Sequence, residues 1–225
     1  MNFFNEDNFL HQFFLFLGKL IALNLLWMIT SLPVITMGAS TTALYYCTLK
    51  LHKDKDITSW KAFGKSFRNN FLQSTAIWLL VLLAAVCLWL EWQALATMPA
   101  GMARIFRYVV LAAGILLGLA AFYVFSTVAA FENKTFKLIS YSLYFVLKRP
   151  HYAVAVAAIT CLPMYFTLAD ALLFPAYLFV WLMCGFSLTA YVNSWFFWRL
   201  YRPFFPESPM DALEGPFYHD SFEGK

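Results

Sequence analysis

Residues 71–90 read FLQSTAIWLLVLLAAVCLWL, twenty residues without a charged side chain. An α-helix rises about 1.5 Å per residue, so this stretch forms a helix about 30 Å long, which matches the hydrocarbon core of a bilayer. Residues 108–131 and 171–198 are equally free of charge, and residues 20–49 are nearly as apolar. Lipid leaves only helices or closed barrels as spanning structures, and barrel strands alternate over about ten residues. The pattern therefore predicts an all-α integral membrane protein.

The composition excludes a water-soluble domain. The chain has 225 residues, of which 62% are hydrophobic and 12% charged, whereas soluble domains carry about 25% charged residues. The formal net charge is +4, although the segment after Arg202 is acidic. Residues 1–202, which contain the apolar stretches, are therefore more strongly basic than the whole chain. In a membrane protein such a body is expected to contact anionic lipid rather than nucleic acid.

We predict six membrane-spanning helices in one domain, residues 1–202, at 9–30, 34–51, 71–91, 105–131, 151–170 and 174–198. Pro33 divides the first apolar stretch, because proline lacks an amide proton and disfavours helix in the residue before it. The alternative is five spans, with 34–51 as a half-buried segment. Residues 203–225 form an acidic tail with prolines and aromatics, which we expect in the cytoplasm.

Two short amphipathic helices are expected in the membrane interface, at 59–70 and 136–147. In the first, Trp60, Phe63 and Phe67 share a helical face, while Lys61 and Lys65 lie off it, a pattern typical of interfacial helices. A shift of 81 residues aligns Trp60 with Tyr141 and Arg68 with Arg149, a faint repeat that favours six spans.

The basic residues predict the orientation. In the six-span arrangement most of them lie near one surface, and Arg104 and Arg107 lie at the other. By the positive-inside rule the basic surface is cytoplasmic, with both termini on that side. The five-span alternative moves only the N-terminus and Lys19 outward.

Small and polar residues within the spans are the candidate packing and functional positions. Gly114 and Gly118 form a GxxxG motif, for which we favour packing inside the chain over dimerisation. The cluster that contains Gly38, Ala39, Ser40 and Thr41 indicates either a close helix crossing that lines a cavity or simple packing. Asn24, Ser40 and Asn193 are the intramembrane polar candidates. The four cysteines are expected to be buried free thiols.

No recognisable catalytic, cofactor-binding or metal-ligating pattern occurs in the sequence. The HExxH, GxSxG and Walker A motifs are absent, and the four histidines are scattered. We therefore expect a protein that is not an enzyme and needs no cofactor or metal.

The run NLLWMITSLPVITMGASTTALYYCTLKL at residues 24–51, followed by FGKSFRNNF at 63–71, resembles the YesL-type family of bacterial membrane proteins of unknown function. The matching positions within these two stretches are Trp27, Leu32, Pro33, Thr36, Gly38, Ala39, Ala43, Tyr45, Phe63, Phe67, Asn70 and Phe71, and Thr41 lies between them as a further packing candidate. The resemblance implies a bacterial cell membrane and genes near carbohydrate ABC transporters and polysaccharide-degrading enzymes. It supplies no catalytic residues.

Two functional hypotheses follow. The first is a non-enzymatic accessory component of carbohydrate uptake or its regulation, which contacts an ABC transporter permease or a membrane sensor subunit through its helices. The second is a small-solute permease, sugar-related in its substrate, with a path lined by Asn24, Ser40, Thr41 and Asn193.

Overall fold

A computed structural model describes residues 9–53 and 59–204, and these residues form helices joined by short connections, without a β-strand among them. The α-helices are α1 (Phe9–Ser31), α2 (Met37–Lys53), α3 (Ser59–Ala94), α4 (Ala100–Ala130), α5 (Thr135–Lys148), α6 (Pro150–Ala169), α7 (Phe174–Val180) and α8 (Phe186–Tyr201). A π-helical segment, Trp181–Gly185, joins α7 to α8. The all-α fold predicted from the charge-free runs is confirmed, whereas the acidic tail expected at 203–225 lies almost entirely outside the described residues.

Five helical segments are long and apolar enough to cross a membrane, which indicates a multi-pass membrane protein. They are Leu10–Ser31, Trp60–Thr97, Gly101–Ala130, Pro150–Ala169 and Phe174–Phe204. The predicted span at 34–51 is not among them, because the corresponding helix α2 has 17 residues and a length of about 26 Å.

Helix α2 lies at the centre of the bundle. Twelve of its residues are buried, and it packs against α1, α3, α4 and α8. The described helices that are long enough to span are far more exposed than α2. The five segments agree in number with the five-span alternative, and the predicted count of six is not confirmed. Helix α2, which that alternative leaves as a half-buried segment, is buried among the longer helices.

The break at Pro33 is a tight turn that is closed by side chains. Pro33 has an extended backbone, and Val34–Thr36 forms one 3₁₀ turn before α2 begins. The Thr36 hydroxyl lies 2.6 Å from the carbonyl oxygen of Thr30, and the Trp78 indole donates to the carbonyl of Val34 at 2.8 Å. The turn is thereby held against both α1 and α3.

Helix α3 runs without interruption through 36 residues, about 54 Å. The prediction of a short interfacial helix at 59–70 is therefore not confirmed, since residues 59–70 and the charge-free run belong to one continuous helix. Phe63 is only 2% exposed and belongs to the core, whereas Trp60 is exposed. The second predicted short helix, 136–147, corresponds to the separate helix α5. Because the chain breaks at Arg149 but not at Arg68, the 81-residue repeat is not reproduced.

Hydroxyl pairs join α2 to its neighbours. Ser74 on α3 donates to Thr42 at 2.9 Å, and the hydroxyls of Thr48 and Ser194 on α8 lie 2.6 Å apart. A third pair joins α8 to α4, where the Tyr201 hydroxyl lies 2.8 Å from the Ser126 hydroxyl. These bonds join buried hydroxyls on different helices, in addition to the bonds that Thr48, Ser194 and Ser126 make to carbonyls of their own helices, and so fix the rotation of the helices about one another.

The four cysteines are free, as expected, but not all are buried. Cys47 is buried and Cys184 partly so, whereas Cys87 and Cys161 are exposed. The prediction of buried thiols is wrong for the latter two, because apolar helices of a membrane protein have an outer face as well as a core face.

Candidate functional site: an aromatic cavity in the bundle

A cavity of about 490 Å³ lies among the helices, within the range of small-molecule sites. The walls come from α1, α2, α3, α4, α6, the π-helical segment and α8, and most of them are aromatic or aliphatic. The lining residues are Trp27, Met37, Thr41, Leu44, Tyr45, Trp78, Gly118, Ala121, Phe122, Phe125, Thr160, Cys161, Met164, Trp181, Phe186, Thr189 and Ala190.

Three indole groups in the wall are fixed by hydrogen bonds to the protein. Trp27 Nε1 donates to the Thr41 hydroxyl at 3.2 Å, and Trp181 Nε1 donates to the Thr167 hydroxyl at 2.9 Å. Trp78 Nε1 donates to the carbonyl of Val34. Each indole therefore uses its one donor within the protein, which leaves ring carbons to face the cavity.

Two of the lining hydroxyls, those of Thr41 and Thr160, are also engaged by the protein. The Thr41 hydroxyl donates to the carbonyl of Met37 at 2.7 Å, and the Thr160 hydroxyl donates to the carbonyl of Val156 at 2.8 Å. These are bonds to the preceding helical turn, which satisfy the hydroxyl locally. The cavity surface is consequently apolar in character, although threonines contribute to it.

The cavity reaches the outer surface of the bundle on α6. Cys161 and Met164 line the cavity and are also exposed. Cys161 is eleven residues from the first residue of α6, Pro150, or about 17 Å along the helix axis. The opening therefore lies near the middle of a helix whose length matches the bilayer core.

Asn24 is completely buried and holds the π-helical segment. Its amide nitrogen lies 3.0 Å from the carbonyl oxygen of Trp181 and 2.9 Å from that of Leu182, and its oxygen accepts from the Ser187 backbone N–H at 3.1 Å. A π-helical turn displaces the regular ladder of backbone hydrogen bonds. The Asn24 side chain forms hydrogen bonds with backbone groups of this segment, and so joins α1 to the beginning of α8.

Asn193 is equally buried but only partly satisfied. Its amide nitrogen donates to the Thr160 hydroxyl at 2.9 Å, and its oxygen has no hydrogen-bond partner among the described residues. Asn193 lies beside Tyr45 and behind the cavity wall that Thr160 helps to form.

The four polar residues predicted to line a path do not share one surface. Thr41 lines the cavity, whereas Asn24 and Asn193 lie outside its lining and Ser40 donates to the carbonyl of Thr36. The expected polar pathway for a small solute is therefore not formed by these residues.

Gly38 is the closest crossing of α2 with its neighbours. A Cβ atom at this position would lie 2.6 Å from the Ser74 carbonyl oxygen, 2.6 Å from Trp78 Cβ and 3.1 Å from Phe125 Cε1. The predicted close helix crossing is confirmed here, and the adjacent Ala39 is fully buried. The cluster at residues 38–41 therefore serves both predicted purposes, since Gly38 packs against α3 and Thr41 lines the cavity.

The GxxxG motif has a different environment. Neither Gly114 nor Gly118 would bring a Cβ atom within 4 Å of another group. The described residues therefore make no close contact at either glycine, and Gly118 lines the cavity.

The corner at residues 63–71 is a row of aromatic rings on α3, the first pair stacked and the second edge to face. The ring centroids of Phe63 and Phe67 lie 6.3 Å apart, and those of Phe67 and Phe71 lie 5.4 Å apart. The Asn70 amide donates to the carbonyl of Ser66 at 3.1 Å, within the same helix. These predicted positions have local, structural contacts and do not reach the cavity.

The C-terminal end of α2 is fixed by His52. Its ring stacks on Tyr191 with centroids 4.3 Å apart, and its Nε2 lies 3.1 Å from the Tyr191 carbonyl oxygen. Because a carbonyl oxygen can only accept a hydrogen bond, Nε2 carries the hydrogen and donates this bond.

Most of the cavity was not predicted from the sequence. Trp78, Trp181, Phe122 and Phe186 were not singled out, since aromatic residues are frequent throughout the chain. One signal was available, namely that Trp78 and Trp181 lie within long apolar runs, whereas tryptophan is enriched at the membrane surface. Within the described residues no group of three metal-ligating side chains occurs.

Residues 20–92 match the model of a family described as a protein of unknown function, DUF624. The matched segment contains α2, the Pro33 turn, Gly38 and most of α3, together with Asn24 and three of the aromatic cavity residues, Trp27, Tyr45 and Trp78. Comparisons with curated proteins and with solved structures found no match.

Proposed function

We propose that this protein is a non-enzymatic, multi-pass accessory component of carbohydrate uptake or of its regulation, and that it acts by packing its helices against a partner membrane protein. The resemblance at residues 24–71 supports the carbohydrate context. The partner is an ABC transporter permease or a membrane sensor subunit. The proposal that the protein acts by packing against a partner rests on the exposed apolar surface of α3 and α4.

Helices α3 and α4 form a long apolar hairpin. They have 36 and 31 residues, whereas α2, which runs beside the first half of α3, begins opposite Trp78. Beyond that point large apolar side chains are exposed on both helices, namely Leu79, Leu80, Leu83, Val86, Trp89, Leu90, Ile105, Val109, Leu111 and Ile115. Gly114 gives this surface a shallow position where a second helix can approach closely.

The proposed orientation has six crossings with α2 as the second, both termini in the cytoplasm, and the bacterial cell membrane as the location. Basic side chains rest on aromatic rings at the proposed cytoplasmic end. Arg199 lies 3.9 Å from the centre of the Trp195 ring, Lys148 5.0 Å from that of Phe204, and Arg149 5.2 Å from that of Tyr152. Such pairs suit an interface with anionic lipid.

A sugar permease has less support. Sugars carry many hydroxyl groups, and a site that binds them needs buried polar partners placed to pair with each. The cavity walls are mostly aromatic and aliphatic, and the Thr41 and Thr160 hydroxyls already bond to backbone carbonyls.

The partner proposal predicts a specific co-purification. Affinity purification of the tagged protein in mild detergent, from cells grown on carbohydrate, is expected to recover a transporter or sensor subunit. Gly114→Leu is expected to reduce that recovery about tenfold, because the added side chain keeps the partner helix away. Gly18→Leu is the matched control, since Gly18 is exposed on α1 and also meets nothing within 4 Å. Recovery of neither class of subunit, or equal recovery with both variants, contradicts the proposal.

A further inference from the structure

We propose that the aromatic cavity holds the hydrocarbon chain of a membrane phospholipid, which enters sideways from the bilayer beside α6. This inference is independent of the accessory role, since it concerns a different surface of the protein. It rests on the chemistry of the walls, the position of the opening and the rigidity of the lining.

The walls select an apolar occupant. The three indole N–H groups donate to Thr41, Val34 and Thr167, so the rings offer no free donor to a ligand. The Thr41 and Thr160 hydroxyls donate to backbone carbonyls. The lining contains no charged residue, so the headgroup of a lipid is not expected to enter. A hydrocarbon chain makes only dispersion and hydrophobic contacts, which are the contacts this surface provides.

The opening connects the cavity to lipid rather than to water. Cys161 and Met164 line the cavity and are exposed. The residues that directly follow them in α6, Leu162 and Tyr165, are also exposed. These positions lie in the middle of α6, whose 20 residues match the thickness of the bilayer core. At this depth the surrounding solvent is acyl chain, so the surface of the cavity is continuous with the lipid-facing surface.

The cavity lining is held rigid by contacts within the protein. Hydrogen bonds hold the three tryptophans in place, and the Trp27 and Trp181 rings each pack against Phe186, with centroids 4.4 and 4.8 Å apart. A rigid lining lowers the entropy lost on binding, which favours retention of one chain over exchange with bulk lipid.

Gly118 provides the means to close the cavity without disturbing the fold. It lines the cavity, and a Cβ atom there would meet nothing within 4 Å. Gly118→Leu is therefore expected to fill part of the space with no clash. Gly18→Leu is the matched control on the exposed face of α1, outside the cavity.

The test uses a phosphatidylcholine that carries a photoreactive diazirine at the end of one acyl chain. The purified protein is reconstituted in vesicles that contain this lipid, irradiated, digested and analysed by mass spectrometry. In the wild type we expect labelling of inner wall residues such as Phe122 and Thr189. In Gly118→Leu we expect that labelling to fall about tenfold, since the leucine displaces several chain carbons. Labelling of the outward residues Leu162 and Tyr165 should stay constant.

Two results would overturn the proposal. One is wild-type labelling confined to outward residues, which would mean that no chain enters. The other is equal inner labelling in Gly118→Leu and Gly18→Leu, which would mean that the label does not come from the cavity. Should Gly118→Leu fail to fold, Ala121→Leu fills the same wall from the next turn of α4, and the same comparison applies.

Discussion

Replacing Gly38 with alanine is expected to lower the thermal unfolding midpoint of the detergent-solubilised protein by roughly 6–12 °C, equivalent to about 3 kcal/mol. The new Cβ atom would lie 2.6 Å from both the Ser74 carbonyl oxygen and Trp78 Cβ. Neither atom is the free end of a flexible side chain, so α2 and α3 must separate. That separation also strains the adjacent bond between the Ser74 and Thr42 hydroxyls.

Gly18→Ala is the control for this prediction. Gly18 also lies within a helix, but a Cβ atom there would meet nothing within 4 Å. Alanine is favoured over glycine in a helix by up to about 1 kcal/mol, so this variant should be neutral or slightly more stable. Equal shifts of the unfolding midpoint for the two variants would show that α2 does not cross α3 at Gly38.

Asn24→Leu is expected to destabilise the protein by about 2–4 kcal/mol. The substitution keeps a side chain of similar size but removes the partners of the Trp181 and Leu182 carbonyls and of the Ser187 N–H. Each buried backbone group left unpaired costs about 1–3 kcal/mol, although hydrogen bonds within membrane proteins average less. We also expect the π-helical segment to rearrange, which circular dichroism and thermal unfolding of the purified variant would detect.

Asn193→Leu is the matched comparison, because Asn193 is equally buried on a facing helix. Its oxygen has no partner among the described residues, and Thr160 still bonds to Val156 when the Asn193 amide is lost. The expected cost is below about 1 kcal/mol. A larger loss for Asn193→Leu than for Asn24→Leu would mean that the Asn24 contacts do not hold the π-helical segment.

The sequence was sufficient to place the helices because charged residues and proline mark their ends. Pro33 separates α1 from α2, and Pro150 begins α6. The short interfacial helix expected at 59–70 is not confirmed. The change from basic to apolar composition near Arg68 indicates where the helix passes from one environment to another, but not where the helix ends. This stretch contains no residue that breaks the backbone, so the helix continues.

A position of the candidate site could be predicted from the sequence only where the residue type itself indicates a particular kind of contact. Gly38 was identified because a glycine between small residues indicates a close crossing, and its contacts bear this out. The cavity depends on how seven segments are rotated about their axes, and periodicity does not specify that rotation when both faces of a helix are apolar. For the same reason Gly114 and Gly118 could not be assigned to the outside or to the cavity beforehand.

The proposed six crossings place α2 across the bilayer inside a ring of longer helices, although α2 has only 17 residues. The four native cysteines are first replaced by alanine, and a single cysteine is then introduced by Leu32→Cys or by Lys53→Cys at an exposed end of the segment that contains α2. A membrane-impermeant maleimide is applied to right-side-out and to inside-out vesicles. If α2 crosses the bilayer, Leu32→Cys is expected to react only in right-side-out vesicles and Lys53→Cys only in inside-out vesicles. Reaction of both cysteines from the same side would contradict this arrangement.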